Sequence, residues 1–365
     1  MKLIPIVYNV YAMVMGMTSY AVIGGKFKQT RFSQAYAVVM NAITLILLPI
    51  GLWKSAREME SAPWLPSYMW MLPYVLYSCN YAAVAYTLIM RCFRDAMLID
   101  LQLVVEQINR EISRSGNHIN SKLCQFFYLK SFTVGYVCAS YIVSVFIFAQ
   151  KLSLHHQIAG FLVNTFLNIL VASTYLYFVS FWQIARGYDF VNQQLEEIFT
   201  TQRTNSKARA KQLQSLWALH ASLKRTAQMI NRHYGLQMLA ARFDFCMFSI
   251  LNGYMGSIYA HSNQASAMEK LFGAVLHCTR AADFFLNDYI CDIVTEYQNK
   301  PKYFVTEGNT CKELTVYLIY ESSSTSTFMV CGLYPANRNK WLKMMASIVV
   351  HIMLLLQFDM VMSQK

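Results

Sequence analysis

The 365 residues are 56% hydrophobic and only 14% charged, with a net charge of +12. An ordinary soluble domain is about 25% charged; a chain this apolar cannot cover its own surface in water, which excludes a soluble fold and points to a polytopic membrane protein. Nine cysteines stand singly with no CxxC pair, and no phosphate-cradling glycine loop, acidic dyad or catalytic triad occurs, so no disulfide framework, metal, cofactor or enzyme activity is expected.

Leu3 to Gly25 carries no charge and is long enough to cross about 30 Å of hydrocarbon. Pro5, Gly16, Gly24 and Gly25 make it a poor continuous helix, and no A-x-A-like cleavage site follows. After Lys26, Lys28 and Arg31 the first clear span is expected from Ala35 to Trp53. A loop with Pro63, Trp64, Pro66 and Trp70 suits the headgroup level, where indoles gather. The second span is read from Tyr68 to Met90, stopped by Arg91 and Arg94, the third from Phe132 to Ala149, and the fourth from Ile158 to Ile184. The fifth runs from Leu236 to Ala260, the sixth from Ala267 to Ile293, and the seventh from Met344 to Met362.

Long connections alternate with short ones. Asp95 to Lys130 is amphipathic, with Leu98, Leu101, Val105 and Ile108 at helical spacing; Arg186 to Tyr234 repeats the pattern with Leu195, Ile198, Leu213, Leu216, Leu219 and Leu223. Gln298 to Cys331 includes a run of Ser and Thr after Glu321. Of the Lys and Arg residues, 25 fall in the N-terminal segment and these long connections, five in the short loops and C-terminal tail, and Arg280 inside a span. Basic residues accumulate on the cytoplasmic side, so the N-terminus and long connections are expected inside, and the net charge needs no nucleic acid, only membrane lipid. The fold class that follows is an all-α polytopic membrane protein with seven transmembrane helices, inverted topology (N-terminus inside) and cytoplasmic helical extensions. Its parts are a membrane-associated N-terminal segment (1–34), a six-helix bundle (35–293), a cytoplasmic anchor (294–343) and a last helix with its tail (344–365). No DRY follows the third span and no NPxxY lies in the last; a metabotropic receptor signalling through a G protein is the alternative reading, and it needs the N-terminus outside.

VCGLYPANR (330–338), followed by an apolar helix ending in Gln357, Phe358 and Asp359, resembles the insect gustatory receptors, seven-helix ligand-gated cation channels whose C-terminal pattern is TYxxxxxQF. Gln357 and Phe358 match its final pair; Val350 and His351 stand where that family has Thr-Tyr. INRHYGLQMLAARFDF (230–245) is similar to that family's entry into its fifth span. The resemblance implies that residues 3–25 form a membrane-associated helix on the inner side. It also implies a homo- or hetero-tetramer in the plasma membrane of gustatory sensory neurons, opened by a small-molecule tastant. In such a channel Gln357 and Phe358 sit near the pore constriction, where an apolar ring blocks ions by dewetting; the alternative is ordinary packing.

His351 lies seven residues before Phe358, on the same helix face, as a pore-lining or a packing histidine. Asp359 is either a cation-attracting carboxylate at the mouth or a simple interfacial one. Arg280 and Asp283, three apart on the sixth span, share a face and are expected to neutralise each other in part. Ionisable groups at membrane depth face the bundle interior or water. With His277, Asn164, Asn168, Asn252, Tyr74, Tyr77 and Asn80 they are candidates to line an outward-facing ligand pocket, or to serve as interhelical glue. Arg242 and Asp244 read as interfacial residues that snorkel. His155 and His156 lack a third metal ligand.

Overall fold

Lipid leaves a backbone N–H or C=O without a partner unless the chain supplies one, so an apolar chain of this length is expected to answer with helices. The computed structural model describes residues 3–23, 26–60, 70–94, 103, 106, 110, 120–148, 154–200, 206–261, 266–300 and 328–363. Its helices are α1 (Leu3–Val14), α2 (Arg31–Glu60), α3 (Leu72–Arg94), α4 (Ser121–Phe148), α5 (Leu154–Thr200), α6 (Ser206–His261), α7 (Ala267–Asn299) and α8 (Arg338–Ser363). Two antiparallel hairpins complete the described part: β1 (Tyr20–Ile23) with β2 (Lys26–Gln29), in the register Tyr20 to Gln29, and β3 (Met329–Val330) with β4 (Tyr334–Pro335).

α1 has 12 residues, about 18 Å at 1.5 Å per residue, and falls short of a hydrocarbon layer. It stops because Gly16 takes φ +69 where α1 meets α2, and a Cβ there would lie 2.8 Å from Met40 Cβ. Tyr36 Oη donates to the Val14 carbonyl at 2.9 Å, satisfying one of the acceptors a helix end leaves open. Further back, Tyr8 Oη donates to the Ala172 carbonyl at 2.5 Å and its ring lies 4.7 Å from Tyr175, fastening α1 onto α5.

α2 tolerates Pro49 in its interior, although the ring removes the N–H that would reach the Leu45 carbonyl. Tyr81 of α3 donates its hydroxyl to that carbonyl at 3.2 Å. Asn120 opens α4, its Oδ1 accepting from the Lys122 N–H at 3.0 Å; the last third of the amphipathic 95–130 segment is therefore the first turns of α4. Most of the remainder of that segment lies outside the described residues, as do Pro63, Trp64, Pro66 and the Ser/Thr run after Glu321. α5 and α6, with 47 and 56 residues, extend about 70 and 84 Å, so each joins an apolar stretch and its amphipathic extension in one continuous helix. A capping box opens α7, with Glu269 Oε2 accepting from the Ser266 N–H at 2.8 Å and Ser266 Oγ accepting from the Glu269 N–H at 3.2 Å.

Where the α5 and α6 extensions meet the start of α4 and the end of α7, the largest apolar core forms. Phe127, Phe181, Trp182, Leu223, Ile290 and Val294 are essentially closed to solvent. Trp182 Nε1 donates to the Leu123 carbonyl at 2.8 Å, and Asn192 Nδ2 to the Tyr297 carbonyl at 2.9 Å. His220 of α6 is also buried here, edge-on to Tyr188 at 4.9 Å, with Nε2 3.3 Å from the Gln298 carbonyl. Burial pushes its imidazole pKa down to about 4. The β3–β4 turn belongs to this end as well. Cys331 (φ 52) and Gly332 (φ 72) turn the chain back, Asn231 Nδ2 of α6 donates to the Met329 carbonyl at 2.8 Å, and a Cβ on Gly235 would lie 3.4 Å from Cys331 Sγ. The VCGLYP run is thus a tight turn clamped on α6, immediately before α8.

Among the described residues four helices, α2, α4, α5 and α8, are long and apolar enough to cross a membrane by length and composition. α3, α6 and α7 do not meet that test although each is long enough. Their apolar faces are interrupted by side chains that turn into the protein: Asn80 in α3, Arg242 and Asp244 in α6, and Asp283 and Asp288 in α7 are all buried.

Candidate ligand cavity and exposed terminal helix

α7 carries the charges that hydropathy makes most costly, and the fold gives each an opposite charge on another helix. Arg280 and Asp283 do not pair with each other. Arg280 Nη2 lies 3.1 Å from Asp244 Oδ2 of α6, and its guanidinium packs over the Phe248 ring at 3.6 Å. Asp283 Oδ1 instead takes Lys130 Nζ of α4 at 2.8 Å and accepts from Thr133 Oγ1 at 2.7 Å, while Nζ also donates to the Asp283 carbonyl at 2.8 Å. The expected intrahelical pair is replaced because partners facing across the bundle approach more closely than two side chains leaving one helix in parallel. Arg242 and Asp244 are likewise not snorkelling. Arg242 is buried, bonded to Asp288 and packed against Phe284 and Tyr334 at 5.4 and 4.8 Å. At the exposed end of this ladder, the Arg338 backbone N–H and Nε both reach Asp292 Oδ2, at 2.9 and 3.0 Å, fixing the start of α8 to α7.

Each of these buried ion pairs is also hydrogen-bonded, and removal of one member strands the other in low dielectric. The Asp244–Arg280 pair borders a cavity of about 30 Å³ between α4, α5, α6 and α7, lined also by Asp283, Thr174, Val137 and Phe284. Asp244 Oδ1 and Arg280 Nη1 are buried and have no protein hydrogen-bond partner. One orphan acceptor and one orphan donor at the wall of a space of water size call for polar contents.

Of the nine residues proposed for a ligand pocket, Arg280 and Asp283 line this cavity. His277 is half-buried one turn before Arg280. Asn168, 1% exposed, donates to the Cys138 carbonyl at 3.3 Å and ties α5 to α4; Asn164 donates to Gly160 of its own helix at 3.0 Å. Asn80 is buried in α3 and Asn252 half-buried in α6. Tyr77 Oη rests on Met59 Sδ at 3.7 Å. Tyr74 is half-buried, donates to Glu60 at 2.6 Å and lies 5.0 Å from Trp53, so it belongs to the α2–α3 end rather than to the cavity. Lys130, Thr133 and Asp244 were not among the nine. The available signal was a lone lysine set in FFYLKSFTV and a carboxylate in ARFDFCMF, each too polar for its neighbours to be merely solvated.

α8 begins under Asn337, whose Oδ1 accepts from the Lys340 N–H at 2.9 Å. One stripe faces the protein: Trp341, Met344, Met345, Ile348 and Ile352 pack with Phe245 and Phe284, and Leu355 and Leu356 continue it toward Tyr254. A Cβ on Gly253 would lie 2.6 Å from Ile352 Cδ1, so that glycine sets how closely α6 and α8 approach. The other stripe is largely exposed. Val350, Met353, Leu354, Phe358 and Val361 are each half or more exposed, and only 6% of the apolar window is buried within the chain. His351 and Gln357 lie on that exposed stripe and Asp359 at its edge. His351 Nδ1 sits 2.7 Å from the Ser347 carbonyl, which requires Nδ1 to carry the proton and leaves Nε2 as the acceptor.

A family model described as 7tm Chemosensory receptor matches residues 6–362. A Drosophila erecta protein bearing the name gustatory receptor 59b is 53% identical over 301 residues, 82% of this chain and 51% of its own length; this chain therefore spans about half the length of that curated relative. Among solved structures, the Machilis hrabei olfactory receptor OR5 in complex with eugenol is similar at a TM-score of 0.66 with 10% identity, over 98% of both chains. The structure of OR5 alone gives the same score and identity over 98% of this chain and 99% of its own.

Proposed function

The chain belongs to the 7tm chemosensory receptor family, and from that premise we propose that it is a gustatory chemoreceptor acting as a ligand-gated, non-selective cation channel. In this reading α2 to α8 are seven membrane spans with the N-terminus inside, and α1 rests on the inner side. The long extensions of α5 and α6 form a cytoplasmic anchor. Four copies, of this chain or of related receptors, turn the exposed stripes of α8 toward a shared axis in the plasma membrane of taste neurons.

The observation that carries the proposal is the two-sided character of α8. Its packed stripe holds it to α6 and α7, while its exposed stripe is apolar with His351 and Gln357 at intervals. A purely lipid-facing stripe has no use for an imidazole and an amide at membrane depth. Around an axis the same residues make a ring of Phe358 that excludes water when narrow and a ring of Gln357 amides that contacts ions when wide. A tastant entering from the outer side would engage the orphan groups of Arg280 and Asp244, and would bias the α6–α7–α8 assembly only by binding the open arrangement more tightly than the closed one. With about 30 Å³ now available, that cavity would have to widen to accept an organic molecule.

Whole-cell recording from cells expressing the full chain tests this directly. The expected result is a tastant-evoked cation current that persists under G-protein blockade, with an N-terminal tag reached only after permeabilisation. Phe358→Ala is expected to raise basal leak at unchanged surface expression. A current abolished by G-protein blockade, or a tag accessible on intact cells, would instead establish the metabotropic alternative.

A further inference from the structure

Away from the charged ladder, α2 and α5 separate around a cavity of about 230 Å³. Its walls are Leu47, Leu48, Ile50 and Gly51 of α2 and Ile158, Ala159, Leu162 and Val163 of α5. Gly51 marks where the two helices nearly touch, since a Cβ there would lie 2.6 Å from Val163 Cγ2. The space holds about eight volumes of ~30 Å³, the share of one water in the liquid. That is below the usual range of sites for drug-sized ligands. Its lining offers no polar side chain until Lys54, at the rim. The flank toward the surroundings is open and apolar, with Leu47, Ile50, Ile158 and Leu162 all exposed.

Leu47, Gly51, Lys54 and Glu58 follow one another at intervals of four, three and four, so they lie on one face of α2. Going along that face, an apolar groove is followed by a cation and, one turn later, by an anion. Trp53, 63% exposed, stands beside Lys54 as an indole does at a headgroup boundary. We propose that this groove is a binding site for a zwitterionic phospholipid, with part of one acyl chain between α2 and α5, the phosphate on the Lys54 ammonium and the headgroup ammonium toward Glu58. The order of charges decides the class. A phosphodiester lies nearest the acyl chains and its amine lies further out, matching cation first and anion second. A purely anionic headgroup would place negative charge against Glu58. The proposal rests on the membrane reading above only in requiring α2 to face lipid.

Photocrosslinking tests it. The full chain is placed in nanodiscs of phosphatidylcholine containing a fraction with a diazirine in the acyl chain, and the labelled peptides are mapped by mass spectrometry. Val38 and Val39, exposed on α2 but outside the groove, supply the reference for bulk lipid. The expected result is labelling of the 47–54 and 158–163 segments several-fold above that reference. Ala159→Trp is expected to fill the groove and bring labelling to the reference level, while Lys54→Glu reduces it several-fold, both in protein that remains monodisperse. Groove labelling no higher than the reference, or unchanged by Ala159→Trp, would overturn the site. Equal or better competition by unlabelled phosphatidylglycerol would overturn the zwitterionic assignment. Absence of label at Val38 and Val39 as well would remove the membrane placement of α2 itself.

Discussion

α5 and α8 are both long and apolar enough to cross a membrane, yet 71% of the apolar window of α5 is buried inside the chain and 6% of that of α8. The sequences differ in a way that explains this. α5 runs on through Phe181, Trp182, Tyr188, Leu195 and Ile198 with apolar groups all round, and α4, α6 and α7 cover most of that stretch. α8 confines its packing residues to one stripe and leaves the other largely exposed. Apolar character therefore says that a helix must leave water; which helices, lipids or other copies it meets depends on how that character is distributed around the axis. α2, 28% buried, lies between the two extremes, with one flank on α3 and α5 and the other open.

The contrast is breakable by mutation. Phe181→Ala empties a fully enclosed site in α5 and is expected to destabilise the protein by about 3–5 kcal/mol, read as a lowered unfolding temperature in detergent. Val350→Ala on the exposed stripe of α8 is expected to stay within about 0.5 kcal/mol. Equal shifts would mean that α8 is packed within the single chain after all.

A second, comparable loss is expected when the charged ladder that surrounds α5 is broken. Lys130→Met strands Asp283, at about 3–5 kcal/mol. The double replacement Lys130→Met with Asp283→Leu removes both charges and is expected to recover most of that stability in the same thermal assay. A double variant no better than the single one would show that Thr133 and the surrounding cavity, rather than the ion pair, govern this part of the protein.

Acid probes the enclosed end of α5 more gently. His220, against Tyr188 and with Lys224 one turn away, has its pKa pushed from an ordinary 6.5 to about 4. The unfolded chain therefore binds the proton more readily between those values, and stability falls as pH drops through that window. The expected loss is about 2 kcal/mol between pH 7 and pH 5. His220→Phe should flatten this part of the profile; an unchanged profile would assign the acid sensitivity elsewhere. The intermediate helix, α2, is expected to show a smaller loss. Tyr81→Phe leaves the Leu45 carbonyl without the hydroxyl that compensates Pro49 and is expected to cost about 1 kcal/mol. A neutral result would mean that α2 bends enough to relieve its own proline.

Much of the architecture was legible. The order of apolar stretches, the alternation of long and short connections and the helical spacing of Leu195, Leu213, Leu216 and Leu219 all follow from local pattern, because the 3.6-residue repeat is written into each segment. The VCGLYP run and the QF ending were the stretches that carried the resemblance to the gustatory receptors. Other features were not. The brevity of α1 arises from the crowding of Gly16 by Met40, a contact between segments 24 residues apart. Arg280 and Asp283 looked like partners because sequence shows neighbours on one helix and not the carboxylate that another helix brings nearer.

By itself, then, the sequence determined that the chain is helical, where its apolar stretches lie and to which receptor family it is akin, since these depend on composition, periodicity and short motifs. Only the tertiary structure decided which charges meet, that Asp244 belongs with Arg280 and Lys130 with Asp283, and that α8 keeps one side exposed while α5 is mostly enclosed. The physical reason is the same throughout. Burial and ion pairing are properties of distances between segments, and those distances are set by how whole helices pack together.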